Sequence, residues 1–140
     1  MTFNEANDAI LAVFKAAWDA LGDPAGSFPA FYSDVPGSAP ATEITWARVT
    51  VRHATGRTRS LTGGLGTQRY ENRGFVWVQV FAPVGDGSVA GRDASQAVVN
   101  AYRDAKISVL FRNVRMAEMG CEGAFERFDV KADFEYDDVR

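Results

Sequence analysis

Residues 69–82 read Arg69-Tyr-Glu-Asn-Arg-Gly-Phe-Val-Trp-Val-Gln-Val-Phe-Ala82. Val76, Val78 and Val80 alternate with Phe75, Trp77, Gln79 and Phe81. A period of two places those sets on opposite faces of a β-strand. Both faces are apolar, so the strand needs cover on two sides, as a strand inside a sheet does.

Upstream, residues 44–54 alternate in the same way, with Ala47, Val49 and Val51 facing one side and Arg48, Thr50 and Arg52 the other. Between these strands lies Thr55-Gly-Arg-Thr-Arg-Ser-Leu-Thr-Gly-Gly-Leu-Gly-Thr-Gln68. It reads as a mobile loop, too polar for a core and far longer than the ~2–5 residues of an ordinary hairpin. A strand of about 11 residues spans ~36 Å. A chain of this length folds to a radius of gyration of ~14 Å. The hairpin is therefore expected to project from the globule.

Two helices flank this pair. Thr2-Phe3-Asn4-Glu5 fits a capping box, and Ile10, Phe14, Trp18 and Leu21 form an apolar stripe over 3–21, which Gly22 and Pro24 end. Four prolines punctuate residues 22–43, where a short edge strand is expected. After Gly85-Asp-Gly-Ser88, the residues Ala94, Ala97, Val98, Ala101, Tyr102 and Ala105 keep helical spacing, their small side chains suited to lying close on a sheet. The tail reads as a hairpin: a strand 109–119, a turn Gly120-Cys-Glu-Gly123 and a strand 124–138. In the last strand Phe128, Val130, Ala132, Phe134 and Tyr136 face the core, and Arg127, Asp129, Lys131, Asp133, Glu135 and Asp137 face out. The expectation is one α+β domain over 1–140, in the order α-β-β-α-β-β. Its sheet is mainly antiparallel, with two helices on one face.

With 46% apolar and 24% charged residues, the 140-residue chain can bury a core without staples. Its single cysteine allows no internal disulfide and fits a reducing compartment. The acidic N-terminus lacks the basic region of a signal peptide, and no apolar run approaches the ~18 residues of a membrane span. A net charge of −3 argues against a general nucleic-acid binder.

The chain offers little to catalysis. His53 is the only histidine and sits in a strand; Cys121 has no basic neighbour in sequence; together they cannot build a zinc site. The carboxylates of the last strand read as a solvated face. Gly63-Gly-Leu-Gly66 lacks the lysine of a phosphate loop and lies between strands. No catalytic residue, cofactor or metal is expected.

Two features point outward instead. Loop 55–68 carries Arg57, Arg59, Leu61 and Leu65, with Arg69 beyond it and Arg52 and Arg73 at its base. The loop is either solvated by its charge or a docking arm for an acidic partner. Phe75, Trp77 and Phe81 lie on the side the helices leave open, and need cover from segment 28–40 or from another subunit.

Several stretches resemble the tail-terminator family of long-tailed phages and prophages: Phe3-Asn-Glu-Ala-Asn-Asp8, Trp46-Ala-Arg-Val-Thr-Val-Arg-His53, Gly74-Phe-Val-Trp-Val-Gln-Val-Phe-Ala-Pro83, Phe111-Arg-Asn-Val-Arg115 and Ala132-Asp-Phe-Glu-Tyr136. The resemblance covers nearly the whole chain. It implies a non-enzymatic virion protein, assembled in the host cytoplasm, that forms a homo-oligomeric ring, usually a hexamer. The ring caps the tail tube protein and joins the tail to the head connector. It also implies that loop 55–68 contacts the tube. DNA passes through such rings without specific binding, and Asp129, Asp133, Glu135 and Asp137 are expected to line that passage. The alternatives are a head–tail stopper, adaptor or minor tail protein, and a small ligand-binding domain using Trp46, Trp77, Tyr102 or Arg52.

Overall fold

In a computed structural model, which describes all residues except 23, 33–43, 60–63, 65 and 86–87, Thr2 caps helix α1 (Phe3–Trp18). The Thr2 hydroxyl accepts from the Glu5 N–H at 3.2 Å, and the Glu5 carboxylate accepts from the Thr2 N–H at 2.7 Å. These bonds satisfy two donors a helix start leaves open, and hold the Glu5 carboxyl below its usual range. The helix ends at Trp18, three residues short of the expected Leu21. The Leu21 N–H turns back to the Trp18 carbonyl, and Gly22 then takes a φ of +93°. The Trp18 indole N–H donates to the Phe28 carbonyl at 3.1 Å, pinning the chain that follows.

Five strands form one sheet: β1 (Ala30–Tyr32), β2 (Trp46–Thr58), β3 (Arg69–Pro83), β4 (Leu110–Glu122) and β5 (Phe125–Val139), in the order β1-β2-β3-β5-β4. Helix α2 (Ser88–Asp104) connects β3 to β4. All pairings are antiparallel except that of β1, which runs parallel to Ala47–Val49. The short edge strand expected among the prolines is thus present and parallel, so the element order carries one strand more than the motif reading.

Strand β2 continues to Thr58, so residues 55–58 are not loop. A register shift between His53 and Thr55 is followed by pairs Thr55↔Arg73, Gly56↔Asn72, Arg57↔Glu71 and Thr58↔Tyr70. The polar run stays extended because β3 supplies a ladder and Glu71 a counter-charge. The hairpin is no free two-stranded arm either, since β5 follows β3 all the way from Pro83 to Arg69. The final turn also shifts. Glu122 pairs with Phe125 across Gly123 and Ala124, so Cys121 lies at the end of β4, exposed, rather than in a turn.

The even-numbered side chains of β3 and β5 point to the core with Ala47 and Val49, and Ile10, Phe14 and Trp18 of α1 and Ala94, Val98 and Tyr102 of α2 join the same cluster. The Tyr102 hydroxyl donates to the Ile10 carbonyl at 3.2 Å, tying one helix to the other. Two glycines permit close contact. A Cβ on Gly74 would lie 2.0 Å from the Arg52 carbonyl oxygen, and one on Gly91 2.1 Å from the Phe128 ring. Among the described residues no helix is long and apolar enough to cross a membrane.

Candidate assembly surface

Among the described residues the opposite face of the sheet is free of helix, and strand register places its side chains in a grid. From one end, successive rows across β2, β3 and β5 are Trp46/Phe81/Arg127, Arg48/Gln79/Asp129, Thr50/Trp77/Lys131, Arg52/Phe75/Asp133, Thr55/Arg73/Glu135 and Arg57/Glu71/Asp137.

The three aromatics expected at an interface separate here. Phe81 is buried within its own chain, stacked on Trp46 with ring centroids 4.2 Å apart, and Phe31 and Phe125 meet Trp46 edge-on. Phe75 and Trp77 remain half-buried. Lys131 sits over the Trp77 ring at 5.2 Å, and the Trp77 indole N–H is buried without an acceptor among the described residues. A buried donor left unpaired costs about 1–3 kcal/mol.

The arginines expected on a loop instead form a network on this face. Glu71, 1% exposed, is held by Arg57 at 3.2 Å and by Arg59 and Arg73. Burial pushes the Glu71 carboxyl up, but hydrogen bonds from Arg57 and Arg73 and the charges of Arg57 and Arg59 outweigh it, and its pKa lies below the usual value. Arg59 and Arg69 reach Asp137 at 3.6 and 3.7 Å, while Arg73 and Arg112 reach Glu135 at 3.5 and 3.0 Å. Leu61 and Leu65 lie outside the described residues.

The expected acidic row faces away from the core, as alternation requires, but it is not a bare anionic strip. Asp129 is 5% exposed and lies 3.1 Å from Arg127. Asp133 is 3.6 Å from Arg115 and accepts from the Asn113 amide at 3.0 Å. Register and ion pairs together put ten cations on this face: Arg48, Arg52, Arg57, Arg59, Arg69, Arg73, Arg112, Arg115, Arg127 and Lys131. Against them stand Glu71, Asp129, Asp133, Glu135 and Asp137. Among the described side chains the face therefore carries ten cations against five carboxylates, in a chain whose net charge is −3. Sequence reading found the arginines and the carboxylates but assigned them to a loop and to the last strand separately; the register shift between His53 and Thr55 brings Arg57 onto the same face.

His53 lies on the core side. Its ring meets Phe3, Phe134 and Tyr136 edge-on, and Nε2 is 2.8 Å from the Tyr136 hydroxyl. His53 is itself exposed, and the partial desolvation imposed by these ring neighbours pushes its pKa down. Among the described residues no three His, Cys, Asp or Glu side chains gather as a metal site. An open cleft of about 390 Å³ is lined by residues including Arg73, Phe75, Arg112, Asp133 and Glu135. Trp46, Trp77, Tyr102 and Arg52, the residues of the ligand-binding alternative, do not line this cleft.

A family model described as phage tail terminator protein matches residues 8–122. This chain belongs to the phage tail terminator family. The terminator chain is thus a structural component of the phage tail, from a family that is not typically enzymatic. No curated protein matches its sequence. A solved structure, whose name states no function, overlays on the terminator chain with a TM-score of 0.58 and 18% identity, over 96% of this chain and 95% of the other. At that identity the likeness concerns the fold alone.

Proposed function

We propose that this chain is the ring subunit that ends tail-tube polymerisation and joins the finished tail to the head connector. The observation that carries the reading is the helix-free sheet face. It holds Phe75 and Trp77 half-buried and, among the described side chains, five more cations than carboxylates. A surface that mixes aromatics and arginine is the composition of a protein contact. Assembly takes place in the host cytoplasm, the ring is a homo-oligomer, most simply a hexamer, and DNA passes through it without sequence-specific contact. The segment 59–68 meets the tube protein.

The test is direct. The purified protein is sized by sedimentation and negative-stain imaging, alone and with its tail tube protein, and tube length is measured with and without it. Closed rings at tube ends, and tubes that stop growing, are the expected result. A protein that stays monomeric in the presence of the tube protein overturns the reading. Rings that bind the head connector but leave tube growth unchanged would assign the stopper position instead.

A further inference from the structure

A ring is built from heterologous contacts, in which each subunit offers two different surfaces. This protomer has such a pair. On one side is the basic sheet face centred on Phe75, Trp77 and Arg52. On the other, α1 covers the core and turns its remaining surface outward. Asp8, Ala12, Ala16 and Asp19 recur on that exposed surface at spacings of four, four and three. Glu5, Asp8 and Asp19 outnumber Lys15, the one basic residue of the helix.

Resting on the ring reading above, we propose that the sheet face of one subunit docks on the outer surface of α1 of the next copy, and that this is the junction repeated around the ring. Two observations meet in it. The sheet face carries more cations than carboxylates, whereas α1 with its C-cap carries Glu5, Asp8 and Asp19 against Lys15, so the two unlike surfaces attract and two sheet faces repel. The methyl side chains of Ala12 and Ala16, both exposed, leave the middle of the helix surface low and apolar, a match for the half-buried Phe75 and Trp77. Duplex DNA would answer the charge alone. The observations favour protein, because the centre of the face holds the half-buried aromatics Phe75 and Trp77.

The experiment uses the full chain and four variants, each checked for fold by circular dichroism and melting. Trp77→Arg breaks the sheet face, and Ala12→Arg breaks the helix face by standing a long charged side chain where the rings must lie. Each alone is expected to abolish rings and leave monomers. Mixed, they retain one intact junction, the sheet face of the Ala12 variant on the helix of the Trp77 variant, so a 1:1 dimer and nothing larger is expected. If Trp77→Arg does not fold, the exposed pair Arg52→Glu and Asp8→Arg carries the test. Each alone weakens the ring at least tenfold in the concentration needed, and the mixture restores it, because the reversed charges attract. Wild-type rings with intact rings from Ala12→Arg and Asp8→Arg overturn the junction and leave the ring reading standing. Wild-type protein that never forms rings overturns both. Salt-sensitive binding of duplex DNA that Arg52→Glu removes, with ring formation indifferent to every variant, overturns the junction in favour of nucleic acid.

Discussion

Substituting Gly91 by alanine sets two physical effects of opposite sign against each other. Gly91 lies in the first turns of α2, where alanine has the better intrinsic propensity by about 1 kcal/mol. Propensity alone therefore forecasts a more stable protein. Packing forecasts the reverse, since the new Cβ would sit 2.1, 2.7 and 2.8 Å from three atoms of the Phe128 ring. Carbon contacts relax near ~3.5 Å, so helix or ring must move by roughly 1.4 Å. Phe128 is 2% exposed, its rotation limited by the core it shares with α2. Overpacking of this kind costs about 1–3 kcal/mol, and the steric term here lies toward the upper end. The net expectation is a loss of about 1–2 kcal/mol, or roughly 3–8 °C in melting temperature for a domain of this size. Thermal and urea unfolding followed by circular dichroism measure it. Gly91→Ala combined with Phe128→Leu, which removes the ring, should recover part of the loss beyond additivity. A Gly91→Ala protein as stable as the parent or more so would refute the close approach of α2 to β5.

Three further outcomes follow from the geometry. Tyr102→Phe deletes the buried hydroxyl donating to the Ile10 carbonyl and should cost about 1 kcal/mol by urea titration, with little change in the slope. His53 has a folded pKa below its unfolded value of ~6.5, so the unfolded chain binds the proton more readily. Its contribution is therefore complete above that value and declines as pH falls below it; melting temperatures from about pH 7.5 to 5.5 should drop more for the parent than for His53→Gln. Glu71 has a lowered folded pKa, so its contribution is present above its unfolded pKa of ~4.3 and disappears as pH falls through the folded value. Glu71→Gln should lower the melting temperature at neutral pH, and the gap from the parent should close toward about pH 3; a gap independent of pH would contradict the network.

Much of the fold is written locally in the chain. The capping box at Thr2 and Glu5, the alternation of Phe128 to Tyr136 and the doubly apolar β3 each depend on neighbours a few residues away, which is what pattern reading sees. What escaped it depends on distant partners. Residues 55–58 look like loop because threonine, glycine and arginine carry no strand periodicity. They become strand through pairing with residues 70–73 and the hold of Glu71 on Arg57. The register shift at His53 and Thr55 likewise has no local mark. Gly120 resembles a turn residue because it adopts positive φ, at 89°, but it serves an irregularity in β4, and the turn falls three residues later. At the surface, Phe75 and Trp77 were found by counting apolar faces, whereas Phe81 was misplaced because its partner Trp46 lies 35 positions away in sequence. The sign of the charge on the sheet face emerges only when three strands are laid side by side.

One consequence of the register concerns isotope exchange. Strand β1 reaches only Ala47 to Val49, so among the described residues Thr50 to Thr58 have a strand neighbour on one flank only. In an antiparallel ladder every second N–H points away from its partner. Deuterium uptake along this stretch should therefore alternate between slow and fast from one amide to the next, a comb with a two-residue tooth whose phase slips at the register shift between His53 and Thr55. Whichever neighbour comes to lie along that flank in the mature particle will fill the gaps, and the missing teeth will report where it sits.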